Sequence, residues 1–361
     1  MQLVIFGAKA LALGMGTAVR ELYPEYPLTC FLVSSLQENS TTLAGLPVYE
    51  INEFAHEITV DDRRNIHILI CTPEDIHPKI VQLLEEYGFL NYTCMNSERE
   101  ARLMEQYFKK KGNFKSLHAL APGKLNANIQ VYSAKFYRDK KLDNFYRQPS
   151  WVRALQVGTE LTDERVAEYT DNTGDNISIK NVNYCELTAL YWLWKNRLLK
   201  DNSEQNIEYY GLFHYRRILE ISDDDLKRMK ENDVDAILQF PTLHEPDISE
   251  HHARYMKEDD WNAMLQALEE LQPDYAKSFS DIFTQTYFYN YNLIIAKRQV
   301  LADYCAWLFP ILERTEELSS PKGWERADRY IGYIGENLMT LYFLHNQKNL
   351  KIFHTGRLML T

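Results

Sequence analysis

Short apolar runs alternate with amphipathic segments over the first 111 residues, and this alternation limits the possible fold more than any other feature of the chain. The apolar runs of strand length are residues 3–6, 28–33, 65–71 and 92–95. Helical patterns follow at residues 10–23, 78–87 and 97–111. Repeated strand–helix units of this size form parallel sheets covered by helices on both faces. The sequence therefore predicts an α/β protein that begins with a doubly wound parallel sheet.

A second alternation starts after a basic, glycine-containing stretch at residues 109–123. Its predicted strands are residues 128–133, 209–213, 235–240 and 287–296, the last with Tyr287, Tyr289 and Tyr291 on one face. Its predicted helices are residues 186–199, 261–271, 300–312 and 331–345. A chain of 361 residues is long for one domain and sufficient for two. We therefore expect two domains, at residues 1–117 and 125–361.

Three basic side chains, His214, Arg216 and Arg217, stand at the end of the predicted strand at residues 209–213. A buried guanidinium needs a carboxylate or a phosphate as its partner. Ligands of open α/β sheets bind at the carboxyl ends of the strands. The tetrapeptide at 214–217 is thus consistent with two alternatives, a site for a diphosphate or a cluster of salt bridges with nearby carboxylates.

Composition excludes several classes of protein. The net charge of −11 and the pI near 5.5 argue against broad nucleic-acid binding, which needs a basic surface. The five cysteines are far apart and form no CxxC pair, which favours a reducing compartment and no zinc site. No apolar stretch reaches the roughly 18 residues that span a bilayer. We expect a cytosolic protein, with association at the inner face of a membrane left open.

Two polar segments carry further candidate residues. Residues 171–178 (DNTGDNIS) form a loop rich in side chains that bond to backbone, which is typical of a simple turn. Asn183 and Glu186 have the spacing of a capping box for the following helix, with Asn183 as N-cap. Gly7, Gly14 and Gly16 do not match GxGxxG, so NAD binding is not expected. The turn at Gly7 either holds another nucleotide or lets the helix pack closely on the strand.

Four blocks in this order resemble bacterial capsular and exopolysaccharide biosynthesis proteins, which are described as glycosyltransferases or as an associated domain of unknown function. The blocks are DNTGDNIS (171–178), NYCELTALYWLWKN (183–196), GLFHYRR (211–217) and YCAWLFPIL (304–312). The resemblance runs from about residue 128 to the end. It implies a GT-A-like glycosyltransferase domain, in which a nucleotide-binding half-sheet joins an acceptor-binding half.

The resemblance also implies site residues. It places the donor nucleotide at the end of the strand at 128–133, where relatives often have a His-Lys pair and this chain has Ala134-Lys135. The implied donor-binding residues are Tyr132, Ser133, Lys135, Asp171, Asn172, Asp175, Asn176, Tyr184 and Glu186. The candidate acceptor-binding residues are Asn290 and Asn292.

The candidate catalytic residues are His214, Arg216, Arg217 and Glu336. Glu336 falls in a block that usually reads Glu-Arg, and here Asn337 replaces the arginine; without the family, Glu336 would be read as a glutamate on a helix surface. The tetrapeptide at 214–217 falls where many GT-A enzymes have an Asp-x-Asp metal motif. The nearest acidic run, residues 223–225, is typical of a helix start after Ser222. No metal ligands are assigned, and Mn²⁺ or Mg²⁺ as a cofactor is left open.

The first domain resembles the small Rossmann-like domains that precede bacterial sugar acyltransferases, through the glycines after its first strand and the segment Ala44-Gly45-Leu46-Pro47-Val48.

The sequence as a whole predicts a glycosyltransferase of hexosyltransferase type. Its expected donor is a nucleotide-diphosphate sugar, chiefly a UDP-sugar, and its expected acceptor is a surface glycan that is lipid-linked. The alternatives are a non-catalytic sensor of nucleotide sugars or glycans and, less favoured, a sugar-nucleotide oxidoreductase.

Overall fold

The computed structural model describes residues 1–37, 39–142, 147–200 and 206–361. A six-stranded sheet occupies the first part of the chain, in the order β3-β4-β2-β1-β5-β6, and only β3 runs antiparallel to its neighbour. Its strands are β1 (Gln2–Phe6), β2 (Leu28–Val33), β3 (Thr42–Leu43), β4 (Leu46–Glu50), β5 (Ile66–Ile70) and β6 (Tyr92–Cys94). Its helices are α1 (Ala10–Leu22), α2 (Ile51–Glu57), α3 (Val60–Arg63), α4 (His77–Glu86) and α5 (Ser97–Lys111).

The helices cover both faces of this sheet, which confirms the doubly wound α/β prediction. Side chains of α1 and α5 form one core cluster against the sheet, and side chains of α2 and α4 form another. Gly16 lets α1 approach the sheet, because a Cβ at this position would lie only 2.9 Å from the ring of Phe31. Close packing of the helix therefore accounts for this glycine.

A seven-stranded sheet forms the centre of the second part, in the order β16-β12-β15-β10-β7-β8-β9. Only β15 runs antiparallel to its neighbours. Its strands are β7 (Ile129–Lys135), β8 (Val152–Gln156), β9 (Tyr169–Thr170), β10 (Tyr209–His214), β12 (Ala236–Gln239), β15 (Ile294–Lys297) and β16 (Ile352–Thr355). Two ribbons flank it, β11 (Arg217–Leu219) with β17 (Arg357–Met359) and β13 (Thr242–Leu243) with β14 (Tyr287–Phe288).

Helices also cover both faces of the second sheet. They are α6 (Asn181–Tyr184), α7 (Leu187–Leu193), α8 (Asp223–Glu231), α9 (Ser249–Tyr255), α10 (Glu258–Leu271), α11 (Pro273–Phe283), α12 (Arg298–Leu318) and α13 (Tyr330–His345). Side chains of α7, α10, α12 and α13 form the large core cluster, and α8 packs on the other face. The predicted start of α8 is confirmed, since Ser222 and Asp225 form a capping box. No helix in the described ranges is long and apolar enough to cross a membrane.

Two predicted elements differ from those observed. The single strand predicted at 287–296 is wrong: β14 ends at Phe288, β15 begins at Ile294, and Tyr291 and Asn292 between them have positive φ angles of 69° and 48°. The helix predicted at 186–199 begins at Leu187 and changes after Leu193 to a π-helical segment, Trp194–Leu198. The first difference, the turn at Tyr291 and Asn292, arises because side chains from other elements form hydrogen bonds with it.

An aromatic cluster joins the two sheets. Phe108 of α5 stacks on Phe240 after β12, with ring centroids 5.5 Å apart. Phe114, just after α5, lies 4.7 Å from the ring of Tyr287 and 5.3 Å from the ring of His354. Phe114, within the stretch at 109–123, is thus packed between the sheets, while most other residues of this stretch are exposed or half-buried. The division into domains at 1–117 and 125–361 stays a prediction.

A second contact between the sheets is ionic. Nδ1 of His118 lies 3.1 Å from Oε1 of Glu105 on α5, and its Nε2 lies 3.7 Å from Oδ2 of Asp225 on α8. Hydrogen bonding to Asp225 and then to Glu105 raises the pKa of His118 to about 10. The imidazolium form therefore bridges the two halves of the molecule over the physiological pH range.

We expect the substitution His118→Gln to lower stability at low pH more than at high pH. A raised pKa stabilises the folded state fully below the ordinary value of 6.5, and this contribution is lost as the pH rises through about 10. Urea midpoints at pH 6, 8 and 10 should show the gap between native and variant protein closing with pH. His56→Gln, at an exposed position, is the control. A gap that does not change with pH would contradict the assignment.

Candidate functional site

The topology of the second sheet has a switch point between β7 and β10, where a crevice is expected at the carboxyl ends of the strands. The chain runs from β7 to β8 and β9 on one side, and β10 then lies on the other side of β7. The strands are parallel, with Ala134 opposite His214, so their carboxyl ends meet at one edge. Ligands of open α/β sheets bind at such a switch point. The candidate site is therefore the edge at which Lys135 and His214 stand.

A buried carboxylate lies beside His214. The side chain of Glu186 is 10% exposed, and its Oε1 lies 3.5 Å from Nε2 of His214. The same oxygen accepts a hydrogen bond of 2.6 Å from Nδ2 of Asn292. Burial alone would raise the pKa of Glu186, but the nearby charge of His214 and the hydrogen bond from Asn292 hold it below its usual range. Glu186 therefore stays ionised inside the protein.

The capping-box interpretation of Glu186 is wrong. Asn183 lies inside α6 rather than before α7, and its side-chain amide donates to the backbone oxygens of Gly323 and Arg326. Glu186 precedes α7 as its N-cap residue and makes no side-chain cap. Its carboxylate is therefore available for His214 and Asn292.

Glu336 is also buried, at 8% exposure, and not on a helix surface as its position alone suggested. Its Oε1 accepts a hydrogen bond of 2.9 Å from the backbone N–H of Tyr291. Glu186 and Glu336 thus hold the two consecutive left-handed residues, Tyr291 and Asn292. One carboxylate before α7 and one in α13 fix the turn that interrupts the predicted strand.

Strained backbone is concentrated around this turn. Eight non-glycine residues in the described ranges have positive φ, and Cys185, Tyr291, Asn292 and Arg329 among them belong to the group around Glu186. Arg329 donates from Nε to the Sγ of Cys185 at 3.3 Å. Such conformations are unfavourable and persist where the surroundings impose them, which is common at binding and catalytic sites. The strain is consistent with a functional role for this region.

Arginines surround the same turn. The guanidinium carbon of Arg217 lies 4.4 Å from the ring centroid of Tyr291, and that of Arg357 lies 4.9 Å from it. Burial lowers the pKa of Arg217, and the charges of Arg216 and Arg357 add to this effect. The buried Nε of Arg216 has no hydrogen-bond partner among the described residues. The cluster therefore concentrates positive charge and contains a buried donor that no described residue satisfies.

Two residues of this region were missed from the sequence. The sequence around Arg357 does not indicate a functional role, because only the pairing of β17 with β11 brings this residue beside Arg217. Asp139 lies four positions after the end of β7, and its Oδ2 accepts a hydrogen bond of 2.7 Å from the N–H of Phe136. Burial raises the pKa of Asp139, while the nearby charges of His214, Lys135 and Arg216 oppose this. An acidic residue just after a central strand was the available signal.

The other expected donor residues bond mainly within the protein. Asp171 is buried and accepts hydrogen bonds from the backbone of Gly158 and Thr159 and from the hydroxyls of Ser178 and Thr188. The hydroxyl of Tyr184 donates to Glu316 at 3.1 Å. Asp171 therefore fixes the loop that follows β8, and Tyr184 belongs to the core beside α12.

The remaining candidates are divided between the site and its surroundings. Ser133 donates to the backbone oxygen of His214 at 3.0 Å, which ties β7 to β10 at the crevice. Further away, Tyr132 accepts from Arg197 at 3.1 Å and Asp175 accepts from Tyr191 at 3.3 Å. Asn172 is half-buried, Asn176 bonds within its own loop, and Asn290 accepts from Gln239.

The described residues contain no group of three or more His, Cys, Asp or Glu side chains arranged to hold a metal ion. Residues 223–225, the nearest acidic run to the tetrapeptide, form the first turn of α8.

Comparison with known proteins gives a family and a structural relative. The family model of DUF4422, a domain of unknown function, matches residues 139–347. The chain is similar to the apo structure of the bifunctional glycosyltransferase WbbM, with 25% identity and a TM-score of 0.54 over 65% of this chain and 45% of that one. This chain thus spans less than half of that relative's length. No curated protein matches significantly.

Two further solved structures show much lower likeness. The Rex-family repressor RSP has 12% identity and a TM-score of 0.22, over 30% of this chain and 60% of that one. Core-mannan synthase A from Aspergillus fumigatus, in its Mn/GDP form, has 10% identity and a TM-score of 0.18, over 92% of this chain and 68% of that one. At these scores neither likeness supports an argument about this chain.

We expect the substitution Asn292→Asp to destabilise the protein at neutral pH. It replaces the amide that donates to Glu186 with a second carboxylate, which removes a charged hydrogen bond worth about 1.5–3 kcal/mol and adds like-charge repulsion. Aspartate tolerates the left-handed backbone as asparagine does. The melting temperature should therefore fall at pH 7.5 and recover partly at pH 5, where one carboxyl of the pair binds a proton.

Asn290→Asp is the matched control for this prediction. Asn290 uses its oxygen to accept a hydrogen bond from Gln239, and aspartate keeps that acceptor. Its melting temperature should therefore change little between the two pH values. Equal, pH-independent losses in both variants would show that Glu186 is not ionised beside Asn292.

Proposed function

This chain belongs to the DUF4422 family, and we propose that it is a glycosyltransferase that moves a sugar from a nucleotide-diphosphate donor, chiefly a UDP-sugar, to a surface-polysaccharide acceptor. The proposed acceptor is a lipid-linked glycan, and the proposed location is the cytoplasm at the inner face of the membrane. The five cysteines, all unpaired, are consistent with a reducing compartment. The structural relative WbbM, a bifunctional glycosyltransferase, supports the class of reaction.

The observation that carries the proposal is the position of the arginines. Arg216 and Arg217 lie just after the strand β10, at the switch point of the second sheet. A sugar donor with a diphosphate brings at least two negative charges, and a cluster of guanidinium groups with free donors is suited to bind them. An acidic protein with a net charge of −11 has no general attraction for such a ligand. Local arginines would have to provide it.

The proposed chemistry assigns different tasks to the cations and the carboxylates. The acceptor hydroxyl attacks the anomeric carbon, the bond to the β-phosphate oxygen breaks, and negative charge develops on the departing diphosphate. Arg216 and Arg217 would stabilise that charge, and His214 would donate a hydrogen bond to it, inside a site where water is largely excluded. Glu336 would accept the proton of the acceptor hydroxyl or orient that hydroxyl.

The residues around the crevice would position the donor. Lys135 ends β7 beside His214 and would add a charge for the phosphates, while Ser133 fixes the spacing of the two strands. Asp171 would act indirectly, by holding the loop that contains Asn172, Asp175 and Asn176. The donor side of the site would also include Tyr132, Tyr184 and Glu186. The acceptor side would include Asn290 and Asn292.

The experiment that tests this function is a panel of UDP-, GDP- and TDP-sugars with the purified full chain. Binding is measured by calorimetry, and slow hydrolysis of the donor is measured by release of the free nucleotide. Hydrolysis or transfer supports a glycosyltransferase. Binding without any turnover would instead support the sensor, and the absence of any binding would overturn both.

We expect Arg216→Ala and Arg217→Ala each to weaken donor binding or turnover at least tenfold. Each removes a charge-assisted hydrogen bond to the diphosphate, worth about 1.5–3 kcal/mol. Arg153→Ala, at an exposed position on β8, is the control and should bind as the native protein does. If an arginine variant unfolds, and bound donor still protects it fully against unfolding, the result would instead favour the alternative in which the arginines form salt bridges.

We also expect turnover to persist in excess EDTA. The end of β10 has no acidic pair to hold a divalent cation, and Arg216 and Arg217 place positive charge where such a cation would lie. The assay is donor hydrolysis before and after chelation, with Mn²⁺ and Mg²⁺ added back. Complete loss that Mn²⁺ restores would contradict the prediction and identify His214 and a nearby carboxylate as metal ligands.

A further inference from the structure

The β11–β17 ribbon places two arginines side by side. Arg217 is opposite Met359, and Leu219 is opposite Arg357. Residues directly opposite in an antiparallel pair share a face, as do alternate residues of one strand. Arg217 and Arg357 therefore lie on the same face, as diagonal neighbours, and both contact the ring of Tyr291.

The counter-ion of Arg357 is a residue of α5, the helix that packs on the first sheet. Glu100 lies in the first turn of α5, and both of its carboxylate oxygens accept from Nη2 of Arg357 at 3.1 Å. The side chains of Glu100 and Arg357 are 17% and 16% exposed. The Nε of Arg357 is buried and has no hydrogen-bond partner among the described residues. Arg357 thus retains a donor and is only partly satisfied by Glu100.

We propose that Arg357 is a third arginine of the anion site and that Glu100 is its resident counter-ion, so that the first sheet sets the affinity of the site for a diphosphate. The inference rests on the proposed function, since it assumes that an anion binds beside Arg217. It also gives the first sheet a role in the activity. Glu100 is then a positioning residue, which acts on the ligand through Arg357.

The sign of the effect follows from electrostatics. A carboxylate paired with an arginine of the site repels a bound anion through the intermediate dielectric of the protein, and we expect this repulsion to weaken binding by roughly three- to tenfold. Glu100→Gln removes this charge, but the amide is nearly the same size and still accepts a hydrogen bond from Arg357. The repulsion should therefore disappear while the arginine stays in place, and binding should tighten.

The coupling between Glu100 and the anion must act in both directions, and this allows a second measurement, of hydrogen exchange. If Glu100 opposes the anion, then the bound anion must weaken the contact between Glu100 and Arg357 by the same free energy. Hydrogen exchange of the amides in the first turn of α5 and in β17 should speed up when the anion binds. If the Glu100–Arg357 ion pair only joined the two sheets, the exchange rates should not change when the anion binds.

The test uses the full chain and inorganic pyrophosphate as the probe, measured by calorimetry at low salt. Glu100→Gln should bind pyrophosphate three- to tenfold more tightly than the native protein, and Glu100→Asp should behave as the native protein does. Glu98→Gln is the control, because Glu98 lies in the same turn but is 61% exposed and pairs with the exposed Arg102, at 3.6 Å. Its affinity should not change.

The outcomes separate this inference from the proposed function. Unchanged or weaker pyrophosphate binding by a folded Glu100→Gln protein, with nucleotide-sugar hydrolysis by the native chain, overturns the inference alone. Native protein that binds neither pyrophosphate nor any nucleotide sugar overturns both. Tighter binding by the variant, with faster exchange in α5 when pyrophosphate is present, supports the inference even where no sugar transfer is detected.

Discussion

The left-handed turn at Tyr291 and Asn292 is the point on which the candidate site depends. Its backbone is unfavourable for both residues, so contacts from outside must hold it. Glu336 of α13 bonds the N–H of Tyr291, and Glu186 before α7 bonds the amide of Asn292. Arginines of β11 and β17 cover the tyrosine ring. Four elements that are distant in the chain thus meet at two residues.

The two sheets contribute unequally to this arrangement. The second sheet supplies the switch point and most of the side chains around it, while the first sheet reaches the site through α5. The aromatic cluster of Phe108, Phe114 and their neighbours packs the contact between the sheets. Rigid aromatic packing fixes α5 relative to β17, and this allows a single ion pair at Glu100 to have a defined geometry.

Local sequence predicted the parts of the fold that local interactions determine. The strand β2 and the helix α5 have the predicted bounds, because an apolar run fixes one, and an N-cap at Asn96 and a left-handed glycine at 112 fix the other. The turn at Tyr291 and Asn292 could not be predicted in the same way. Asn292 and its partner Glu186 are 106 positions apart, and tyrosines in alternation are typical of a strand.

The site followed the same division. The arginines at 216 and 217 could be proposed from the sequence, because a strand that ends in basic residues is unusual in itself. Arg357 could not, since only the register of β11 with β17 places it beside Arg217, and its partner Glu100 lies 257 positions away. Without the family resemblance, the sequence places Glu336 on a helix surface, because its burial depends on the turn it bonds.

The distribution of charge around the turn bears on how one site could serve two substrates. Arginines lie on the side of Tyr291 that faces the ribbon, while the carboxylates of Glu186 and Glu336 hold the backbone of the turn. Transfer of a sugar needs cations at the departing phosphate and a carboxylate at the attacking hydroxyl. The turn bonds both carboxylates and contacts both arginines, so it holds groups of opposite charge close together at one place in the site. Two of these groups also have counter-ions of their own, since Glu186 lies 3.5 Å from His214 and Arg357 pairs with Glu100.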